Sequence, residues 1–173
     1  SNAVDGSLLE NVTVNLREGE DIKTGEIEET TTTNANGEFS FSAIESQTYT
    51  VEVQISNFIT SYYNITLPGE KTINKQYSLS PTLEAGQYRI VLNWGARPSD
   101  LDSYMKGPKA DGSADFTVGW YNAEEEGTVL DKDDVSSYGP ETITIETQNT
   151  GEYNYYVRCR APLGCSESEA TVT

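Results

Sequence analysis

Apolar and polar side chains alternate in short runs along almost the whole of this chain, and turn-forming residues interrupt each run before it lengthens. A period of two separates a core face from a solvent face only when the backbone is extended. Residues 12–16 (VTVNL), 38–44 (EFSFSAI) and 49–55 (YTVEVQI) show the pattern most clearly. Stretches 64–67 and 73–79 continue it around Pro68-Gly69, and 87–94, 115–120, 141–147 and 153–159 repeat it farther on. A helix requires an apolar stripe at helical spacing together with capping residues, and no segment carries both. The chain is therefore expected to be all-β, and strands this short, at this spacing, predict two tandem β-sandwich domains.

Asn34-Ala-Asn-Gly37 reads as a tight turn between the threonine-rich run at 30–33 and the strand at Phe39. Ser80-Pro81 opens a junction, which predicts domains over residues 4–80 and 81–173. Ser1-Asn2-Ala3 looks like the scar of a cleaved tag and is left out of the fold expectation. The two halves differ in chemistry. Only Asp5 and Asp21 precede the junction, whereas Asp100, Asp102, Asp111, Asp115, Asp131, Asp133 and Asp134 follow it. Any oxygen-ligand chemistry is expected in the second half.

The formal charge of −17 argues against nucleic acid as a partner, because phosphate binding needs a basic patch. It also disfavours adhesion to anionic lipid. No apolar run reaches the ~18 residues of a membrane span. Histidine is absent, which removes the usual general base, the histidine-activated nucleophiles and most catalytic zinc sites. The two cysteines, Cys159 and Cys165, flank a Pro-Leu-Gly turn and are expected to close a small disulfide loop. Such a bond points to a secreted, periplasmic or cell-surface location.

The runs GSLLENVTVNL (6–16), TTNANGEFSF (32–41) and YTVEV (49–53) resemble the carboxypeptidase regulatory-like domain. That resemblance implies a transthyretin-like β-sandwich with its first strand truncated, serving as a non-catalytic accessory module. Downstream, LNWGARPSDLDSYM (92–105), LDKDDV (130–135) and SYGPETI (137–143) resemble YfaP-like bacterial domains of unknown function. Tyr104 departs from that family's pattern, which commonly has histidine there. The second resemblance implies no activity, so its acidic residues are read for themselves.

Asp100 and Asp102 stand two apart, as do Asp131 and Asp133, with Asp134 adjoining. On extended backbone that spacing sends both carboxylates of a pair to one side. If the two segments converge, Asp100, Asp102, Asp131, Asp133 and Asp134 surround one point with the oxygen donors that calcium takes. Glu141 is either a further ligand or a solvated strand start. The same aspartates also suit turn capping, and Asp100 or Asp131 alternatively pairs with Arg97, Arg158 or Arg160. Among the aromatic residues, Trp94 and Tyr155 fit a core, while Trp120 and Tyr121 beside the 122–127 loop suit an exposed platform for a sugar ring. A hydrolase built on paired carboxylates is a third possibility. The expectation is a non-enzymatic secreted or cell-surface module with a calcium site, whose partner is a protein or a glycan.

Overall fold

The computed structural model describes residues 1–42, 44–69, 72–160 and 164–173. Its contacts divide the chain into two compact units. The first comprises Ser1–Asn2 with Ser7–Thr82, and the second comprises Ala3–Gly6 with Leu83–Thr173. Both are all-β.

In the first unit β1 (Thr13–Glu18), β2 (Glu29–Thr32), β3 (Thr48–Gln54) and β4 (Ser61–Thr66) form an antiparallel sheet in the order β2-β1-β3-β4. Val14 and Leu16 of β1 pack with Tyr49, Val51 and Val53 of β3, as the period of two requires. The opposite face of the same strands is also buried, but polar. There Glu52 accepts hydrogen bonds from Asn15, Arg17 and Tyr62, and Arg17 donates onward to the carbonyls of Gly25 and Glu26. The turn expected at residues 34–37 is built as an Asx turn, with Asn34 Oδ1 accepting from the backbone of Asn36 and Glu38.

The second layer of this unit departs from expectation. Residues 38–42, 44 and 73–79 are extended, and Phe39, Phe41, Ile44 and Tyr77 pack against the core. Among the described residues they form no ladder beyond an isolated bridge between Asn2 and Leu79, and position 43 lies outside those residues. Apolar alternation records which side of a segment is buried, but not whether a neighbouring strand pairs with it. The amino-terminal residues, left out of the expected fold, belong to it. The Ser1 amino group donates to the Tyr77 carbonyl at 2.9 Å.

The second unit is a sandwich of two sheets. One has the order β12-β5-β10-β9-β8, from Thr171–Val172, Tyr88–Asn93, Glu141–Ile145, Thr128–Lys132 and Glu124–Glu125. The other has the order β11-β6-β7, from Asn154–Cys159, Leu101–Gly107 and Phe116–Val118. Met105, Phe116 and Val118 of the smaller sheet meet Leu130, Ile143 and Ile145 of the larger one in the core. Strand β6 was not expected from its aspartate-rich sequence. Its Leu101 and Met105 point into the sandwich, and Tyr104 is buried on the other face. Gly119 makes that possible, since a Cβ there would lie 2.5 Å from the Tyr104 ring.

Candidate metal centre

Two turns at one end of the second unit are fastened to each other. The Trp94 backbone donates to the Tyr138 carbonyl, Tyr138 donates back to Gly95, and Ser137 donates to Ser99. The Trp94 indole closes its own turn by donating to the Pro98 carbonyl at 2.9 Å. Gly139 has φ +79°, and a side chain there would meet the Trp94 ring at 2.8 Å, so glycine is needed for the second turn to lie against the first. The clamp delivers Asp100 to the start of β6 and Glu141 to the start of β10.

Carboxylate oxygens of Asp100, Asp102 and Glu141 then lie within 4.8 Å of one another. Glu141 is in phase with Ile143 and Ile145, so its side chain enters the sandwich interior and is 1% exposed. One of its oxygens accepts a hydrogen bond from the Ser103 backbone. The other, Oε1, is buried with no donor among the described residues, as is Asp100 Oδ1. Burial pushes the Glu141 carboxyl up to about 9, and the adjacent Asp133 reinforces the shift. Asp100 is likewise raised, first by burial and then by the charges of Asp102 and Asp133.

Asp102, 3% exposed, has a cation beside it. Arg160 donates from Nε to Asp102 Oδ2, which also accepts from the Tyr104 hydroxyl at 3.2 Å, and Arg160 Nη2 reaches that hydroxyl at 3.0 Å. The ion pair considered for Asp100 or Asp131 is thus made by Asp102.

The cluster differs from the expected five aspartates. Asp131 is elsewhere: its carboxylate accepts from Thr144 Oγ1 at 2.6 Å and feels Arg89. The pairing of β9 with β10 shifts register between Thr142 and Ile143, and β9 ends at Lys132, so the two-residue spacing does not carry Asp131 and Asp133 to the same side. Asp134 borders the cluster. It caps its own turn by accepting from Ser136 at 2.8 Å, and it faces Lys132 at 3.6 Å. Glu141 and Arg160 are the participants that sequence reasoning underweighted. The signal for Glu141 was present, because the alternation of ETITI puts it with the two isoleucines.

On the outer face of the smaller sheet, Trp120 and Tyr121 are 53% and 58% exposed, and Tyr156 stacks on Tyr104 at 4.9 Å. The Arg160 guanidinium lies over the Trp120 ring, 5.2 Å from its centroid. Trp94 is core, as expected. Cys159 and Cys165 form the disulfide, with Cα atoms 6.0 Å apart.

Residues 1–80 match the carboxypeptidase regulatory-like domain family, in agreement with the first-half motifs. Neither the curated proteins nor the solved structures compared with the chain match it.

Proposed function

We propose that the second unit is a non-catalytic binding or structural module of a secreted or cell-surface protein, locked by a calcium ion held among Asp100, Asp102, Asp133 and Glu141. The observation that carries this reading is the pair of buried oxygens without donors among the described residues, Asp100 Oδ1 and Glu141 Oε1, in a cluster of three acids with Asp133 beside it. Buried carboxylates without donors are costly, and an ion bound there offsets both their desolvation and their mutual repulsion. Oxygens bound to one calcium at ~2.3–2.6 Å lie at most about 5 Å apart, which the cluster satisfies. Calcium also tolerates an irregular shell completed by carbonyls and water, whereas magnesium demands a stricter octahedron. Zinc lacks its preferred ligands, with no histidine in the chain and both cysteines in a disulfide.

The disulfide favours an oxidising compartment, and the regulatory-like domain at residues 1–80 suits an accessory role beside other modules. Glu141 has the raised pKa of a general acid, but at 1% exposure no substrate reaches it, which weighs against a hydrolase. A second reading rests on the exposed pair Trp120 and Tyr121, a platform for stacking a saccharide. Its test is glycan binding that disappears in Trp120→Ala.

Calorimetric titration with calcium at neutral pH tests the main reading. Saturable binding, lost in Asp100→Asn combined with Glu141→Gln, is the expected result. No heat and no shift in melting temperature at millimolar calcium would refute it, and tighter binding of magnesium would refute the choice of ion.

A further inference from the structure

We infer that the outer face of the smaller sheet binds a saccharide bearing a carboxylate, with exposed rings stacking on the sugar and Arg158 pairing with its charge. The inference rests on the saccharide reading of Trp120 and Tyr121 and extends it to the class of sugar. It adds a third exposed ring and a cation.

On β11, Asn154, Tyr156 and Arg158 share the outward phase, because Tyr155 and Cys159 pack inward. The register sets Tyr156 opposite Tyr104 and Arg158 opposite Asp102 of β6. Tyr104 is the buried hub of a continuous set of rings. Tyr156 stacks on it at 4.9 Å, Tyr121 lies 6.1 Å from it, and Trp120 meets Tyr121 at 5.8 Å. Trp120, Tyr121 and Tyr156 are each about half exposed. Contiguous exposed rings of this kind mark a binding surface, unlike apolar residues scattered singly.

The cations of this face differ in what they face. Lys106 pairs with Asp115 at 2.9 Å, and Arg160 pairs with Asp102. Asp102 is taken up by Arg160 and the Tyr104 hydroxyl, although Arg158 stands opposite it. Arg158 is exposed and makes no ion pair among the described residues, in a chain with 28 acidic side chains against 11 basic ones. A guanidinium left unanswered amid surplus acid is placed for an anion from outside, and its fork matches a carboxylate. It lies two residues along the strand from Tyr156, roughly 7 Å, so a sugar stacked on that ring brings an exocyclic carboxylate within its reach. Three half-exposed rings offer roughly 300 Å². A stable protein interface covers about 800 Å² on each partner, so the platform suits a short run of sugars better than a protein.

The probes are oligomers of galacturonate, mannuronate and glucuronate, each with its methyl ester as the uncharged control. They are titrated calorimetrically into the full chain in chelator, which removes calcium bridging. Saturable binding of at least one acid is expected, with its ester roughly tenfold weaker. Arg158→Gln should weaken the acid by a similar factor and leave the ester unchanged, and it should melt with the wild type because Arg158 is exposed and unpaired. Trp120→Ala should weaken both forms. Equal binding of acid and ester, lost in Trp120→Ala, would overturn the acidic sugar and leave the saccharide platform standing. Acid binding that Trp120→Ala leaves intact would overturn both. No binding of any acid at millimolar concentration would overturn the inference, and self-association abolished by Trp120→Ala would assign the face to a second copy of this chain.

Discussion

Substituting Glu141 by glutamine should stabilise the second unit in the absence of calcium and abolish its stabilisation by calcium. The carboxyl sits at about 9 in the folded chain against 4.5 when free. A raised acid binds a proton on folding, so the contribution of Glu141 is most favourable below pH 4.5 and deteriorates as pH rises toward 9. The slope is about 1.4 kcal/mol per pH unit, which amounts to a deficit of about 3 kcal/mol at pH 7. Glutamine keeps an oxygen for the Ser103 backbone and offers an amide to Asp133, but takes up no proton. Calcium acts on the same group in the opposite sense, because binding expels the proton and requires the carboxylate. At a hundredfold excess over its dissociation constant the ion should add about 2.7 kcal/mol to the wild-type chain and little to the variant. The assay is urea unfolding at pH 5, 7 and 8.5 with chelator or calcium. Tryptophan emission isolates the relevant unit, since Trp94 and Trp120 are the chain's two tryptophans and both lie in it. The reasoning fails if Glu141→Gln is less stable than wild type in chelator, if the pH slope persists in the variant, or if calcium stabilises both chains equally.

In the first unit, Arg17→Met leaves the buried Glu52 carboxylate without its cation and should cost about 3 kcal/mol, read by far-UV circular dichroism in urea; a loss below about 1 kcal/mol would contradict the assigned pairing. Burial alone would raise Glu52, but hydrogen bonds from Asn15 and Arg17 and the charge of Arg17 outweigh it and leave the group lowered. Its stabilisation is therefore present above the unfolded value near 4.5 and disappears as pH falls through the folded one, so acid unfolding of wild type should be steeper than that of the variant. Replacing Cys159 and Cys165 together with serine opens a loop with a sequence separation of 6 and should remove about 2 kcal/mol from the second unit, measured by tryptophan-monitored unfolding. An unchanged midpoint would mean the bond closes a loop that is already ordered without it.

The sequence conveys side-chain direction better than pairing. Alternation located β1, β3, β5 and β10 because each has a face of buried apolar residues, and it located β11 although none of that strand's residues is fully buried. It missed β6, where Asp102 is tolerated in a strand only because Arg160 and Tyr104 attend it, and that arrangement depends on residues far along the chain. It overstated 38–44 and 73–79 as strands, since inward phenylalanines do not reveal whether a backbone has a neighbour. At the candidate site, the convergence of the 100–102 segment with Asp133 follows from two turns whose mutual hydrogen bonds are backbone contacts, invisible in side-chain identity. Asp131 was placed by assuming a regular strand through a register shift. Glu141 is legible in principle, because the sequence puts it in phase with Ile143 and Ile145, but an acid at a strand start is ordinarily left in water.

Arg160 touches Asp102 with its edge and covers Trp120 with its plane. Whatever competes for that carboxylate also loosens the guanidinium from the indole, because one side chain cannot follow two anchors that separate. The emission colour of Trp120 thus becomes an optical gauge of occupancy at a carboxylate it never contacts, and a saccharide landing on the indole would push back on the acid through the same lever.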